Sequence, residues 1–556
     1  QKYGLMDVGS VWGYGTYRGT EFTADCLHRM GQEVRQSLAL ARFGKPFAEL
    51  TAEEQGTLDT AAAAEIKRNT YDAGTDTLTL SPAMAAAFVS VQSYYEKVFS
   101  EGKRDSAILP NAIADAGERR DLSHFFFWTA WAAGTLRPGK DMTYTNNWPP
   151  DVSVGNTLSS EAMQWTVVSI IAFLAFLGVM TFVFHWFKFF SRDPEEYHLA
   201  RAMAVSPISA SQRKTAKYFL VVTVLFLLQT TMGGLIAHYT VHPASFYGMD
   251  AVAQLVPYQW AKSWHLQLAV FWIAVSWIGM TLYAAPLIGG REPKKQGLLV
   301  DILFAAVVVV AGGALSGIAL GVHNKIGANW FWFGHQGWEY LELGRLWQLL
   351  LFAGLLIWLG IVVRALKDHF RKGTDKWDIP HFVAYAGVAI VAFFAFGLLY
   401  NPRTHLTVAD FWRWWVVHTW VEGMFEFFAA AAIAFVTVNL GLARRKDALR
   451  VAYMTAMLAL STGIIGVGHH YYWFGDPSLW FALGGVISAL EPVPVLLLMA
   501  KVWQEMRAVN RAGTEFPYKW PMLFLMASSA WAFIGAGIFG FTITTPVVNY
   551  YEHSTY

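Results

Sequence analysis

Cysteine is nearly absent: Cys26 is the only one in 556 residues. A single thiol excludes an intramolecular disulfide, a thiolate zinc site and a C-x-x-C-H haem attachment, all of which need at least two. Charge is scarce as well. Only 15% of residues are charged against 55% hydrophobic, which excludes an ordinary soluble enzyme and describes a polytopic membrane protein. The net charge of +2 leaves no basic excess for nucleic acid and no acidic solvating tail. The chain opens at Gln1 without a methionine or a signal-like stretch, so a native N-terminus is expected upstream.

What is present divides in two. Residues 1–158 mix Gly-rich and aromatic patches such as WGYGTYRG with helical runs and a Pro/Asn-rich exit, TNNWPPDVSVGN, the composition of a soluble domain and its linker. Residues 159–190 predict a membrane helix joining that domain to a core over 191–556. Spans are expected near 162–188, 217–240, 260–287, 298–321, 343–365, 380–400, 409–440, 449–473, 478–502 and 520–548. Alternate loops hold the basic residues, among them Lys188, Arg291, Lys294, Arg371, Lys372, Arg444, Arg445, Arg507 and Arg511. Those loops are expected to face the cytoplasm, which puts the soluble domain outside.

The chemistry is concentrated between Asp410 and Pro494. In HTWVEGMFE, His418, Glu422 and Glu426 recur every four residues, which on an α-helix stacks them on one face. His469 and His470 close the next apolar run, and Glu491 stands inside the one after, in SALEPVP. Ionisable groups in hydrocarbon are costly and point to function. With the topology above, His265, His418, His469 and His470 all fall in the outer third of the membrane, with the carboxylates deeper. A lone membrane histidine is as readily bonded to a carbonyl as to a metal, whereas pairs meeting at one depth read as ligands. Imidazole suits iron, copper or zinc; a carboxylate among the imidazoles moves the preference toward iron. Glu426 and Glu491 read as proton-handling or supporting groups, or as acids hydrogen-bonded within the bundle. His28, His124, His369, His381 and His405 are expected to be solvated. His238 and His242, in HYTVH, share one face at a membrane boundary.

HTWVEGMFE, GHHYYWFG and SALEPVP closely resemble the single-chain, quinol-dependent nitric oxide reductases of the haem-copper oxidase superfamily, over essentially the whole chain. The resemblance implies an all-α haem-copper oxidase-like bundle, with about ten membrane helices present and an N-terminal cytochrome c-like domain lacking haem c. It implies a non-haem iron held by His418, Glu422, His469 and His470 beside a high-spin haem b3. Glu426 and Glu491 would then tune the site and supply protons, and His265 would be one axial ligand of a low-spin haem b. It places a quinol against His238, His242 and Phe246, although relatives carry glutamate at the position of His242. It also implies a calcium ion at Gly15, Tyr17 and Glu339. The family's His-x-His helix would follow Tyr556, so the chain is expected to be a portion of a longer protein.

The activity so implied is 2 NO + 2 e⁻ + 2 H⁺ → N₂O + H₂O in a bacterial cytoplasmic membrane. Quinol is the donor, no separate cytochrome c subunit is needed, and a homodimer is allowed. Oxygen-reducing relatives carry His-Pro-x-x-Tyr where this chain has His418-Thr-Trp-Val-Glu422, which makes a quinol oxidase the second reading. A haem-free transporter of metal ions or protons is the third.

Overall fold

The computed structural model describes residues 1–16, 18–190, 207–243, 245–372, 377–511, 513, 516 and 518–552. The N-terminal domain is built on four helices, Phe22–Phe43, Ala52–Lys67, Pro82–Glu101 and Ala116–Gly134. Each begins where a side chain can satisfy the otherwise unbonded first-turn N–H groups: Glu21, Thr51 (in a reciprocal capping box with Glu54), Ser81 and Asp115. Their shared face is aromatic. Phe22 stacks on Phe126 at 4.5 Å between ring centroids, and Tyr95 packs against both.

Ten helices among the described residues are long and apolar enough to cross a membrane: Ser160–Trp186, Ala210–Val241, Tyr258–Ile288, Gln296–Val322, Arg345–Lys372, Ile379–Leu398, Leu406–Asn439, Arg445–His470, Ser478–Arg511 and Lys519–Ile543. They coincide with the ten expected spans, and three run well past them, the second beginning at Ala210. The fifth extends to Lys372 and the ninth to Arg511, because polar residues carry a helix out of hydrocarbon while apolar content marks only the part inside it.

Two departures from regular α-helix fall on the chemistry. The helix expected over 409–440 is α-helical to Trp414 and from Phe425, but winds as a π-helix over Trp415–Met424, the stretch that holds His418 and Glu422. The regular α stacking expected of His418, Glu422 and Glu426 is corrected accordingly; π turns of this kind gather at functional sites. The ninth span breaks at Glu491–Pro492, between Ser478–Leu490 and Val493–Arg511, because Pro492 has no N–H to continue the ladder.

The N-terminal domain sits on one end of the bundle. Asn146 Nδ2 donates to the carbonyls of Tyr472 (2.7 Å) and Asp476 (2.8 Å), Arg137 donates to that of Gly475 (2.9 Å), and the Tyr14 hydroxyl donates to that of His470. The Tyr472–Asp476 loop, directly after the His469–His470 pair, is thereby fixed from above.

Candidate metal centre

Glycine makes room for the histidines. A Cβ on Gly466 would lie 2.9 Å from His418 Nε2 and 2.8 Å from Ser488 Oγ, and one on Gly484 would come within 3.2 Å of the His469 side chain. The Arg445–Gly466 helix tightens into a 3₁₀ turn at Val467–His470, which presents both imidazoles at its end. His470 stacks on Trp414 at 3.7 Å with an 11° interplanar angle, and Thr419 Oγ1 ties the π segment to the Gly463 carbonyl at 2.8 Å. Ring orientation is thus set by packing.

His418, Glu422, His469 and His470 each offer a ligand atom, and these atoms all lie within 4.8 Å of one another. His418 Nδ1 is 2.6 Å from Glu422 Oε2, and the Nε2 atoms of His469 and His470 are 2.9 Å apart. Two ligands at right angles on a metal ~2.1 Å away would be separated by ~3 Å. His418 and His469 are buried, whereas 47% of the Glu422 side chain is accessible, so one flank of the cluster is open. Three imidazoles and one carboxylate fit a non-haem iron better than copper.

The two deeper carboxyls also meet. Glu426 lies close to Glu491, and Glu422 is near it as well. The break at Pro492 and the π turn at Met424 bring the two residues together from separate spans.

His265 Nδ1 lies 2.9 Å from the Gln229 carbonyl. The N–H donated there fixes the tautomer and leaves the Nε2 lone pair as acceptor, which the Gln229 side-chain amide approaches at 3.4 Å and would have to yield to a metal. A Cβ on Gly233 would lie 2.9 Å from the same ring. The residues present therefore fit one axial position of a haem.

His238, His242 and Phe246 are brought together. Ring centroids are 5.6 Å apart for His238–His242 and 4.9 Å for His238–Phe246. The two histidines line a cavity of about 550 Å³ with Arg104, Tyr247 and Asp250. Arg104 comes from the soluble domain, and no local sequence signal connects it to a residue 134 positions away.

Of the three residues expected to bind calcium, Tyr17 lies outside the described residues. Gly15 and Glu339 line one cavity of about 450 Å³ with His469 and His470. The Glu339 carboxylate already has a cation, Lys262 Nζ at 2.7 Å. Among the described residues, then, a divalent ion at Glu339 would have to displace the Lys262 ammonium.

Sequence reasoning missed a polar cluster under the soluble domain. Asp7 Oδ2 lies 2.9 Å from both His335 Nε2 and Ser263 Oγ, and all three residues are fully buried or nearly so. Burial, and the charge of Asp7 beside it, push the Glu342 carboxyl well above the ordinary range. His369 and His381, expected to be solvated, instead converge on Asp378.

Comparison with known proteins adds an independent line. Residues 1–150 match the family of the NorB cytochrome c-like domain of nitric oxide reductases, and residues 213–556 match cytochrome c and quinol oxidase polypeptide I. The chain is also similar to the NorB subunit of nitric oxide reductase from Stutzerimonas stutzeri. The identity is 30% over 356 residues, which cover 62% of this chain and 70% of that protein.

Proposed function

The chain belongs to the cytochrome c and quinol oxidase polypeptide I family, and from that premise we propose that it reduces nitric oxide to nitrous oxide with electrons from quinol. The observation that carries the reading is Glu422 among three histidines. A carboxylate 2.6 Å from His418 selects a non-haem iron, the metal suited to an NO reductase, over the copper of an oxygen reductase.

Each side chain then has a task. His418, Glu422, His469 and His470 would hold the non-haem iron, and His265, its Nδ1–H tied to Gln229, would hold a low-spin haem b. A high-spin haem b3, when bound, would supply redox equivalents and Lewis-acid chemistry. Glu426 and Glu491 would pass protons between themselves and on to Glu422, since neighbouring carboxyls can act in turn as acid and base. Quinol would bind in the cavity beside His238 and His242, where imidazoles can take its hydroxyl protons. His242, where the resemblance leads one to expect glutamate, leaves the site able to accept a proton. The charge expected of a calcium ion is met here by Lys262. The Lys/Arg-bearing loops support a cytoplasmic membrane location with the soluble domain on the outer face.

The test is metal and haem analysis of the purified full-length protein together with NO consumption. Two b-type haems, a further iron, no copper and quinol-dependent loss of NO are expected. Stoichiometric copper, or oxygen uptake in place of NO consumption, would replace this reading with the quinol oxidase.

A further inference from the structure

His369, Asp378 and His381 form a second ligand cluster, far from the first. One ligand atom from each lies within 4.8 Å of the others. His369 Nε2 is 2.8 Å from Asp378 Oδ2, and His381 Nδ1 is 2.6 Å from Asp378 Oδ1. The three residues come from two helices. His369 is in the last turn of Arg345–Lys372, while Asp378 is the N-cap of Ile379–Phe394 and His381 lies in its first turn. His369 is 24 residues from Arg345, ~36 Å along the helix and toward the end away from the soluble domain.

We propose that this His–Asp–His cluster is a binding site for a divalent transition metal of the zinc type. Two imidazoles and one carboxylate are borderline ligands, suited to zinc rather than to calcium or magnesium. Both rings already point a nitrogen at one carboxylate, so small side-chain rotations redirect three donors onto a common centre. Asp378 can ligate through Oδ2 while Oδ1 keeps its capping bond from the His381 N–H, 3.2 Å away. His369, with 26% of its side chain accessible, leaves a flank open for water as fourth ligand. Arg445 approaches Asp378 only to 4.0 Å, so its charge competes weakly for the carboxylate.

A metal here would pin the end of one span to the start of the next. The second of these helices packs on the π segment, where Trp420 Nε1 donates to the Ile390 carbonyl at 2.7 Å.

The experiment uses the full-length holoenzyme, haems and iron in place, washed with EDTA and equilibrated with ZnCl₂. Zinc bound per chain and the Tm are compared with those of His369→Ala and His381→Ala. The wild type is expected to bind one more zinc ion than either variant, or to bind it at least ~10-fold more tightly. Zinc should raise the Tm of the wild type alone. Zinc displacing iron at the other centre would be common to all three proteins and cancels in the comparison. Because His381 is buried, His369→Asn is added as a third variant, with an unchanged haem spectrum as the folding check. Equal zinc uptake in wild type and variants, or no uptake in any, overturns the proposal.

Discussion

His418 Nδ1 and Glu422 Oε2 face each other at 2.6 Å inside a π-helical turn, in the middle of a membrane-spanning segment. Both groups would be costly in hydrocarbon singly, and together with His469 and His470 they define a charged ligand set. Glu422→Ala is expected to lower non-haem iron content and NO turnover together, with metal affinity falling ~10- to 100-fold. Elemental analysis beside an activity assay decides it: a variant with full iron and low activity would remove Glu422 from the ligand set.

The Glu426–Glu491 pair separates ligand from proton carrier. Glu491→Gln keeps the volume and the hydrogen-bonding capacity but cannot ionise, so NO turnover should drop by ~10²-fold, the usual worth of a positioned acid or base. Iron content should stay at the wild-type level. Loss of iron in Glu491→Gln would show that the pair supports the metal rather than moving protons.

How much of this was legible in the sequence depends on range. The ten spans were readable because apolar length is a local property, and the cluster of His418, His469 and His470 because each motif is short and the topology gives depth. The π turn was not, since periodicity shows which residues share a face but not whether bonds run to the fourth or fifth residue. The Lys262–Glu339 and Asp7–His335 pairs join residues 77 and 328 positions apart, and nothing local marks either half. His369 and His381 looked solvated for the same reason: Asp378, which gathers them, has the sequence signature of an ordinary helix cap.

Lys262 makes a testable claim about calcium. Its ammonium competes for the Glu339 carboxylate at 2.7 Å, so Lys262→Met should leave that carboxylate free beside Gly15 and tighten calcium binding ~10-fold or more. Calcium titration of EGTA-washed wild type and variant measures this. If Lys262→Met binds calcium no better, the ammonium is not the competing charge.

Stability should depend on pH through Glu21. Burial, opposed by the N–H groups of Ala24 and Gly13, raises its carboxyl from 4.5 to about 8. Between those values the folded chain holds a proton that the unfolded chain releases. Stability is therefore fully present below pH 4.5 and falls as pH rises toward about 8, with a limiting slope of ~1.4 kcal/mol per pH unit. Glu21→Gln should flatten that part of the Tm-against-pH curve and raise the Tm at pH 7.5 relative to wild type. A parallel curve in the variant would assign the pH dependence to other groups.

Arg104 tests whether the soluble domain takes part in quinol binding. It reaches the cavity of His238 and His242 from a 3₁₀ turn, Arg104–Ser106, that is held down from two directions. Arg18 donates to the Asp105 carbonyl at 2.8 Å and to the Tyr239 carbonyl at 3.1 Å, linking the turn to the helix that carries His238. A guanidinium so placed can donate to a quinol oxygen and favours the anion formed as the first proton leaves. Arg104→Ala should raise KM for quinol ~10- to 150-fold, since a hydrogen bond from a charged donor contributes ~1.5–3 kcal/mol. Reduction of the haems by dithionite, which bypasses the cavity, should be unchanged. Arg18→Ala should show a weaker form of the same defect, because it frees the turn without removing the donor. If KM is unaltered in both variants, the soluble domain only covers the cavity, and quinol binding rests on the membrane residues alone.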